Sequence, residues 1–216
     1  MKFNIDEQEA FWNKRFQNEG NVWGDYPSAT ATFAMEIFHQ HKVKSILVAG
    51  SGYGRNTKLF SGNGFNVSGT DISTVACKLA KKFDPPTEFH NGSVLDMSFL
   101  ANSCDAIYCF NTLHLFYENE RVVFIKESAS RLRGGGLAFF TVFSENEPSF
   151  GKNRSIEKDT YESRPGRPTH YFSDDDLRWH FRDFIILVTG VFDEWEDHSQ
   201  GEHVHRLRYI CAKKVN

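Results

Sequence analysis

From residue 45 onward the chain alternates short apolar runs with segments whose apolar residues recur every three or four positions. The first run, "SILVA" (45–49), predicts a strand, and Arg55 to Phe60 opens a short helix that the turn "SGNG" ends. "FNVSGTD" (65–71) predicts the second strand. Ser73 is a suitable N-cap for a helix through "TVACKLAKKF", which Pro85 and Pro86 stop. "TEFHNG" (87–92) and "CDAIYCF" (104–110) predict the third and fourth strands. From Glu118 to Arg133, Val122, Val123, Ile125, Ala129 and Leu132 keep a helical spacing, and Gly134, Gly135 and Gly136 are expected to end that helix. "LAFFTVF" (137–143) is too continuously apolar for a sheet face open to water, so it predicts a fifth, buried strand.

The polar stretch from Ser144 to Thr169 carries three prolines and is expected to be the longest irregular segment, of the functional or mobile kind. Ser173 with Asp176 is an S-x-x-D capping signal for a helix running towards Phe181. "FIILVTGVF" (184–192) and "HVHRLRYICA" (203–212) then read as a hairpin joined by a charged turn. Ahead of residue 45 lie two helical patterns, Asp6 to Gln17 and Ser28 to His41, joined by "NEGNVWGDYP". Alternating β and α units with right-handed crossovers imply an α/β, doubly wound, mainly parallel seven-stranded sheet. Helices cover both faces, and the closing hairpin brings in one antiparallel strand. The expected organisation is one domain, 1–216, with an N-terminal helical cap (1–44), a ligand-binding core (45–143) and a substrate-side segment (144–216).

Composition narrows the functional classes. The chain has 216 residues, 40% of them apolar and 21 of them phenylalanine, enough for one sizeable core. A net charge of -3 leaves no polycationic footprint, so no nucleic-acid partner is expected. No apolar run approaches the ~18 residues of a membrane span, and the N-terminus has acids where a secretory leader needs an apolar stretch, so no membrane association and a cytoplasmic location are expected. Cys77, Cys104, Cys109 and Cys211 show no regular spacing and read as buried free thiols of a reducing compartment. A small-molecule partner and a monomeric or homodimeric state fit this picture.

The candidate chemistry starts at "SILVAGSGYGRNTKLF" (45–60). In a doubly wound sheet, a glycine turn after the first strand lets a ligand approach the backbone and the next helix's N-terminus. The dinucleotide fingerprint G-x-G-x-x-G/A needs a small residue where this chain has Arg55, which argues against an NAD(P)-dependent oxidoreductase. The spacing Gly50, Gly52, Gly54, followed by Asp71 at the end of the second strand, instead resembles motif I of the class I S-adenosylmethionine (SAM) dependent methyltransferases, whose fold is Rossmann-like. "EFHNGSVLDMSFLANSCDAIYCFNTLHLF" (88–116) and "RLRGGGLAFFTVF" (131–143) extend the resemblance over roughly residues 45–143. The N-terminal W-x-x-R-F and V-W-G-x-x-P-S (11–33) look like the entry segment of small-molecule methyltransferases of the tellurite-resistance and thiopurine kind.

That resemblance implies SAM as cofactor and transfer of its methyl group to a small-molecule acceptor. It places Gly50, Ser51, Gly52, Tyr53 and Gly54 at the methionine portion, Asp71 on the ribose hydroxyls, and Ile72, Ser93 and Val94 at adenine, with carbonyls near Gly50 and Phe110 as candidate holders of the methionine ammonium. Two positions depart from the family pattern: Ser93 stands where an acidic residue is common, and Val48 where an acid often helps hold the methionine ammonium. The second departure leaves open a SAM-binding domain without transfer activity.

Direct methyl displacement needs a base only when the nucleophile arrives protonated. His114 follows the fourth strand and is one candidate; His170, His198, His203 and His205 are others. His203 and His205 share a strand face by period-two spacing, at the carboxyl edge of the sheet. With His198 or Glu202 they offer metal ligands or a pocket wall. Spacing alone does not raise them to a metal site, and none is assigned. Trp23 and Tyr26, with Trp12, are candidate aromatic walls for the sulfonium, and Arg164 and Arg167 are candidate holders of an anionic acceptor.

Overall fold

The computed structural model describes residues 4–98, 104–164, 166–197 and 201–216. Helices α1 (Ile5–Glu19) and α2 (Ala29–Gln40) precede strand β1 (Ser45–Ala49). Then come α3 (Arg55–Gly62), β2 (Asn66–Asp71), α4 (Thr74–Phe83), β3 (Glu88–Asn91), β4 (Cys104–Phe110), a short 3-10 turn (Leu113–Leu115), α5 (Glu118–Arg131) and β5 (Leu132–Phe143). The chain closes with β6 (Arg154–Glu157), β7 (Thr160–Arg164), β8 (Arg167–His170), α6 (Asp174–His180), β9 (Phe184–Asp197) and β10 (Glu202–Lys214).

The seven-stranded sheet has the order β3-β2-β1-β4-β5-β10-β9, and only β10 runs antiparallel to its neighbours. Strand order reverses between β1 and β4, so a crevice opens above their carboxyl ends. Alternating residues of the central strands face two apolar layers. Leu47, Ile107 and Phe140 lie on the α5 and α6 side. Ile46, Val48, Tyr108 and Phe139 pack with Ala31, Ala34 and Phe38 of α2 and Phe60 of α3 on the other. The capping residues read from the sequence act as caps: the Ser73 and Ser173 hydroxyls accept N–H groups of Ala76 and Asp176. All four cysteines are buried and free.

Three local expectations are corrected. The glycines at 134–136 do not follow α5 as a loop but lie inside β5, where pairing jumps from Cys104↔Leu132 to Ala106↔Leu137 and the extra residues bulge out. At Gly136 a side chain would stand 3.0 Å from the carbonyl oxygens of Arg133 and Asp105, which is why the bulge needs glycine there. Residues 154–170 are not irregular but form a second, three-stranded antiparallel sheet, β6-β7-β8. Its first turn passes through Asp159 at φ +51°, and the polar pair Thr160 and His170 face each other in its ladder. Finally, the charged turn expected after residue 192 is ladder as far as Asp197: Asp193 to Asp197 pair with Arg206 to Glu202.

α1 lies across the start of α4. One oxygen of the Asn13 side chain accepts from Ser73 Oγ at 2.7 Å, Thr74 Oγ1 at 3.3 Å and the Val75 N–H at 3.1 Å, satisfying a backbone donor of the first turn of α4. Asn13→Ala strips an acceptor from these donors. It is expected to lower unfolding stability by about 1–2 kcal/mol, read as a shifted urea midpoint at constant slope; an unshifted midpoint would leave α1 held by its aromatic contacts alone.

Candidate active site

The turn after β1 is built from left-handed backbone. Gly50, Gly52 and Gly54 have φ of +71°, +56° and +93°. Two of them also answer to close packing. A Cβ at Gly50 would fall 2.2 Å from Thr112 Oγ1, and one at Gly54 3.2 Å from Thr57 Oγ1. At Gly52 the nearest atom is the tip of the Phe16 ring at 3.7 Å, so its bare face is turned to α1.

Asp71 closes the turn from the end of β2. Its Oδ2 accepts the Gly52 N–H and its Oδ1 the Ser73 N–H, each at 2.8 Å. Burial pushes this carboxyl up to about 6, against the opposing pull of those two N–H groups. Each oxygen keeps a lone pair beyond the one used by the backbone. The neighbouring Ser51 hydroxyl is buried and has no hydrogen-bond partner among the described residues.

Tyr53 and Arg55 tie this turn to distant segments. The Tyr53 ring stacks on Trp23 at 6.1 Å, and its hydroxyl donates to the Gly24 carbonyl at 2.6 Å. Arg55 donates to the Trp23 carbonyl at 3.0 Å and to Glu196 Oε1 at 3.1 Å, and its guanidinium lies 5.1 Å from the Phe110 ring. Glu194, two residues along β9, accepts the Ala29 N–H at 3.1 Å. The acids of β9 are therefore not all turned to solvent. Glu194 and Glu196 are buried, whereas Trp195 between them is 75% exposed.

The other predicted positions divide. Trp23 stands in an aromatic cluster with Trp12 and Phe16. Tyr26 does not: it is 86% exposed, because the chain turns it outward just before the buried cap Ser28. Ile72 is half-buried at the bend after β2, where its carbonyl accepts from the Asn91 side chain at 2.8 Å. Ser93 is half-buried and its hydroxyl accepts the Leu95 N–H at 3.1 Å; Val94 is a core residue. The Phe110 carbonyl already accepts from Thr112 Oγ1 at 3.1 Å. Val48 is 2% exposed among apolar side chains. Arg167 lies 3.6 Å over the Phe11 ring and 5.0 Å from Trp12, with Arg164 5.8 Å from Phe11. Burial, then Arg164 and Arg15, push the Arg167 guanidinium down to about 10.

Among the histidines, His170 is held at both ring nitrogens, by Thr160 Oγ1 and Asp176 Oδ2, each at 2.7 Å, in a network that supports β8 and α6. His198 lies outside the described residues. His203 and His205 meet, Nε2 to Nε2, at 3.2 Å, and His205 Nδ1 is 3.0 Å from Glu147. Burial opposes a charge on His205, but Glu147, Glu196 and Glu194 outweigh it and hold the imidazole above its usual value. The His205 ring and the His114 ring both stack on Phe143, at 5.0 and 4.2 Å. Sequence reasoning passed over Asn111, a non-glycine at φ +49° at the end of β4 that accepts from Thr141 Oγ1. Such strain concentrates at functional sites, but no residue pattern announces it.

Residues 47–140 match the family described as "Methyltransferase domain". No curated protein matches the chain by sequence. Among solved structures, a SAM-dependent methyltransferase from Anabaena variabilis is 18% identical, with a TM-score of 0.75, covering 99% of this chain and 96% of its own. The 1,6-didemethyltoxoflavin-N1-methyltransferase of Burkholderia thailandensis, solved with its substrate and S-adenosylhomocysteine, is 19% identical (TM-score 0.68; 100% and 92% covered). TehB from Haemophilus influenzae is 13% identical (TM-score 0.66; 94% and 67% covered). The shared architecture is the class I methyltransferase fold, as the glycine spacing implied.

Burial pushes the His114 imidazole down to about 3, with His205, His170 and Arg167 acting in the same direction. The unfolded chain therefore binds a proton near pH 6.5 that the folded chain refuses, so this histidine withdraws stability as pH falls below 6.5. By pH 5 the loss is about 2 kcal/mol. His114→Phe, which keeps the ring stack on Phe143, is expected to flatten the pH dependence of unfolding between pH 6.5 and 5 by that amount. A slope identical to that of the parent chain would show that His114 charges freely in the fold.

Proposed function

We propose that this class I SAM-dependent methyltransferase passes the methyl group to a small-molecule acceptor by direct displacement at the carboxyl edge of β1 and β4. The observation that carries the reading is Asp71: a buried carboxylate at the end of β2, fixed by two backbone N–H groups, with a free lone pair on each oxygen. A vicinal diol needs such an acceptor pair, and the orphan Ser51 hydroxyl beside it adds a donor and an acceptor. The residues present thus fit the cofactor. Asp71 would hold the ribose, the turn Gly50, Ser51, Gly52, Tyr53 and Gly54 the methionine portion, and Ile72, Ser93 and Val94 the adenine.

SAM supplies an electrophilic methyl group on a sulfonium. The chain's own contribution is alignment and exclusion of water. Trp12, Phe16 and Trp23 roof the glycine turn, and their π faces suit a cation. Because Phe16 touches the bare face of Gly52, cofactor binding shifts α1 and with it both tryptophans. Arg164 and Arg167, over the face of Phe11, are the cations that would hold an anionic acceptor. His114 is neutral at physiological pH and offers a hydrogen bond rather than a charge. These roles treat residues 1–216 as one domain serving one site.

Val48 favours a second reading, a SAM binder without transfer. It lies in the core where the family commonly places an acid, so the methionine ammonium has no partner at that position. Two measurements follow: binding tests the cofactor site that both readings share, and transfer separates them. In calorimetric titrations SAM and S-adenosylhomocysteine should bind with a change in tryptophan fluorescence, and Asp71→Ala should cost about 1–3 kcal/mol of affinity. Affinity should also fall as pH drops through about 6, where Asp71 takes up its proton. Equal affinity for the variant removes Asp71 from the site. Labelled methyl transfer to a panel of thiols, phenols and oxyanions should succeed with at least one class; binding without any transfer selects the second reading.

A further inference from the structure

The hairpin β9–β10 brings together side chains that the methyl-transfer reading does not use. His203 lies directly opposite Glu196 in the ladder, and His205 two residues further on the same face. His203 Nε2 and His205 Nε2 are 3.2 Å apart, and His205 Nε2 is 3.7 Å from Glu196 Oε2. One ligand atom from each of the three residues falls within a 4.8 Å span. Atoms bound to one zinc-type ion at about 2.0–2.2 Å lie roughly 2.9–3.5 Å apart at angles between 90° and tetrahedral, and a little over 4 Å when opposed. The observed separations of 3.2 and 3.7 Å fall in or near that range.

The outer contacts decide what the inner atoms can do. His205 Nδ1 is 3.0 Å from Glu147 Oε1 and His203 Nδ1 is 2.8 Å from the Gly201 carbonyl. A carboxylate and a carbonyl only accept, so each ring can keep N–H on Nδ1; in the metal-free chain one Nε2–H also spans the 3.2 Å between the rings, and an entering metal ion would displace that proton. Glu196 Oε1 is turned the other way, to Arg55. Two imidazole nitrogens and a carboxylate oxygen thus converge on one space, a donor set that suits a divalent cation once the shared proton leaves. Histidines that ligate a metal through one nitrogen while the other donates to a carboxylate or backbone carbonyl are the common pattern of metal centres.

We propose that Glu196, His203 and His205 bind one divalent transition-metal ion, of the zinc or iron(II) class that favours two imidazoles and a carboxylate. Glu147 and Gly201 are its outer partners. Both histidines are partly exposed, so at least one coordination position opens outward, towards oxygen or nitrogen donors of a small ligand. That the ligand is the methyl acceptor rests on the transfer reading above. The metal site does not.

The test uses the full chain, freed of metal with chelator, and Co²⁺ alone as the probe. One equivalent of Co²⁺ is expected to bind with the visible absorption of a low-symmetry nitrogen and oxygen site. His203→Ala, at a half-exposed position, should weaken binding at least a hundredfold while the far-ultraviolet circular dichroism stays unchanged. Glu147→Gln, which touches no metal, should weaken it about ten- to a hundredfold. No binding up to millimolar Co²⁺, or binding indifferent to His203→Ala, overturns the proposal. Metal binding without methyl transfer, or transfer unaffected by metal, leaves the site standing and removes only its link to the acceptor.

Discussion

The buried pair of Arg55 and Glu196 is the interaction on which the arrangement of the site depends. Their side chains are 8% and 4% exposed and 3.1 Å apart. Withdrawing two charges from water costs several kcal/mol per ion, which their attraction offsets only when geometry is good and the remaining donors and acceptors are satisfied. Here they are. The guanidinium also bonds to the Trp23 carbonyl and lies on Phe110, so one side chain joins the glycine turn, the α1–α2 connection, the end of β4 and the end of β9. Loss of either partner would strand the other charge inside the protein, a far larger penalty than the pair's net worth.

From that pairing follows the unusual face of β9. A strand beside a solvated turn would put its acids out and its tryptophan in; this one does the opposite. Glu196 is drawn to Arg55 and Glu194 to the start of α2, and Trp195 is left in solvent. The end of β9 is thereby tied to the glycine turn through Arg55 and to the start of α2 through Ala29. Arg15, Arg164 and Arg167 stand around those aromatics, while Glu147, Glu194 and Glu196 gather by the hairpin. A displacement reaction gains from this kind of enclosure, since the charged donor is better served by fixed groups than by water.

The sheet and the glycine turn were legible because they depend on signals local to the chain. Continuous apolar runs mark buried parallel strands, and Ser73 and Ser173 mark helix starts, since a cap acts within three residues. The turn after β1 shows itself because left-handed backbone at alternate positions leaves glycine little competition. What stayed hidden depends on partners far along the chain. The β6-β7-β8 sheet has short strands with polar ladder positions such as Thr160 and His170, so it lacks the apolar alternation that marks a strand. The glycines inside β5 look like a helix stop until the close approach of Asp105 is known.

The histidines show the limit most clearly. Read along the chain, His203 and His205 share a face, and acids lie on both sides of the coming turn. Which acid meets them is decided by register alone. Pairing of Glu202 with Asp197 sets His203 against Glu196 and His205 against Glu194. A slip of one residue would set His203 against Trp195 or Asp197 and turn the opposite face of β9 towards the histidines. The register in turn follows from the buried side chains of β9, since Glu196 can reach Arg55 only from the inward face. An ion pair formed 141 residues apart in sequence thus selects the carboxylate that completes the two-histidine cluster.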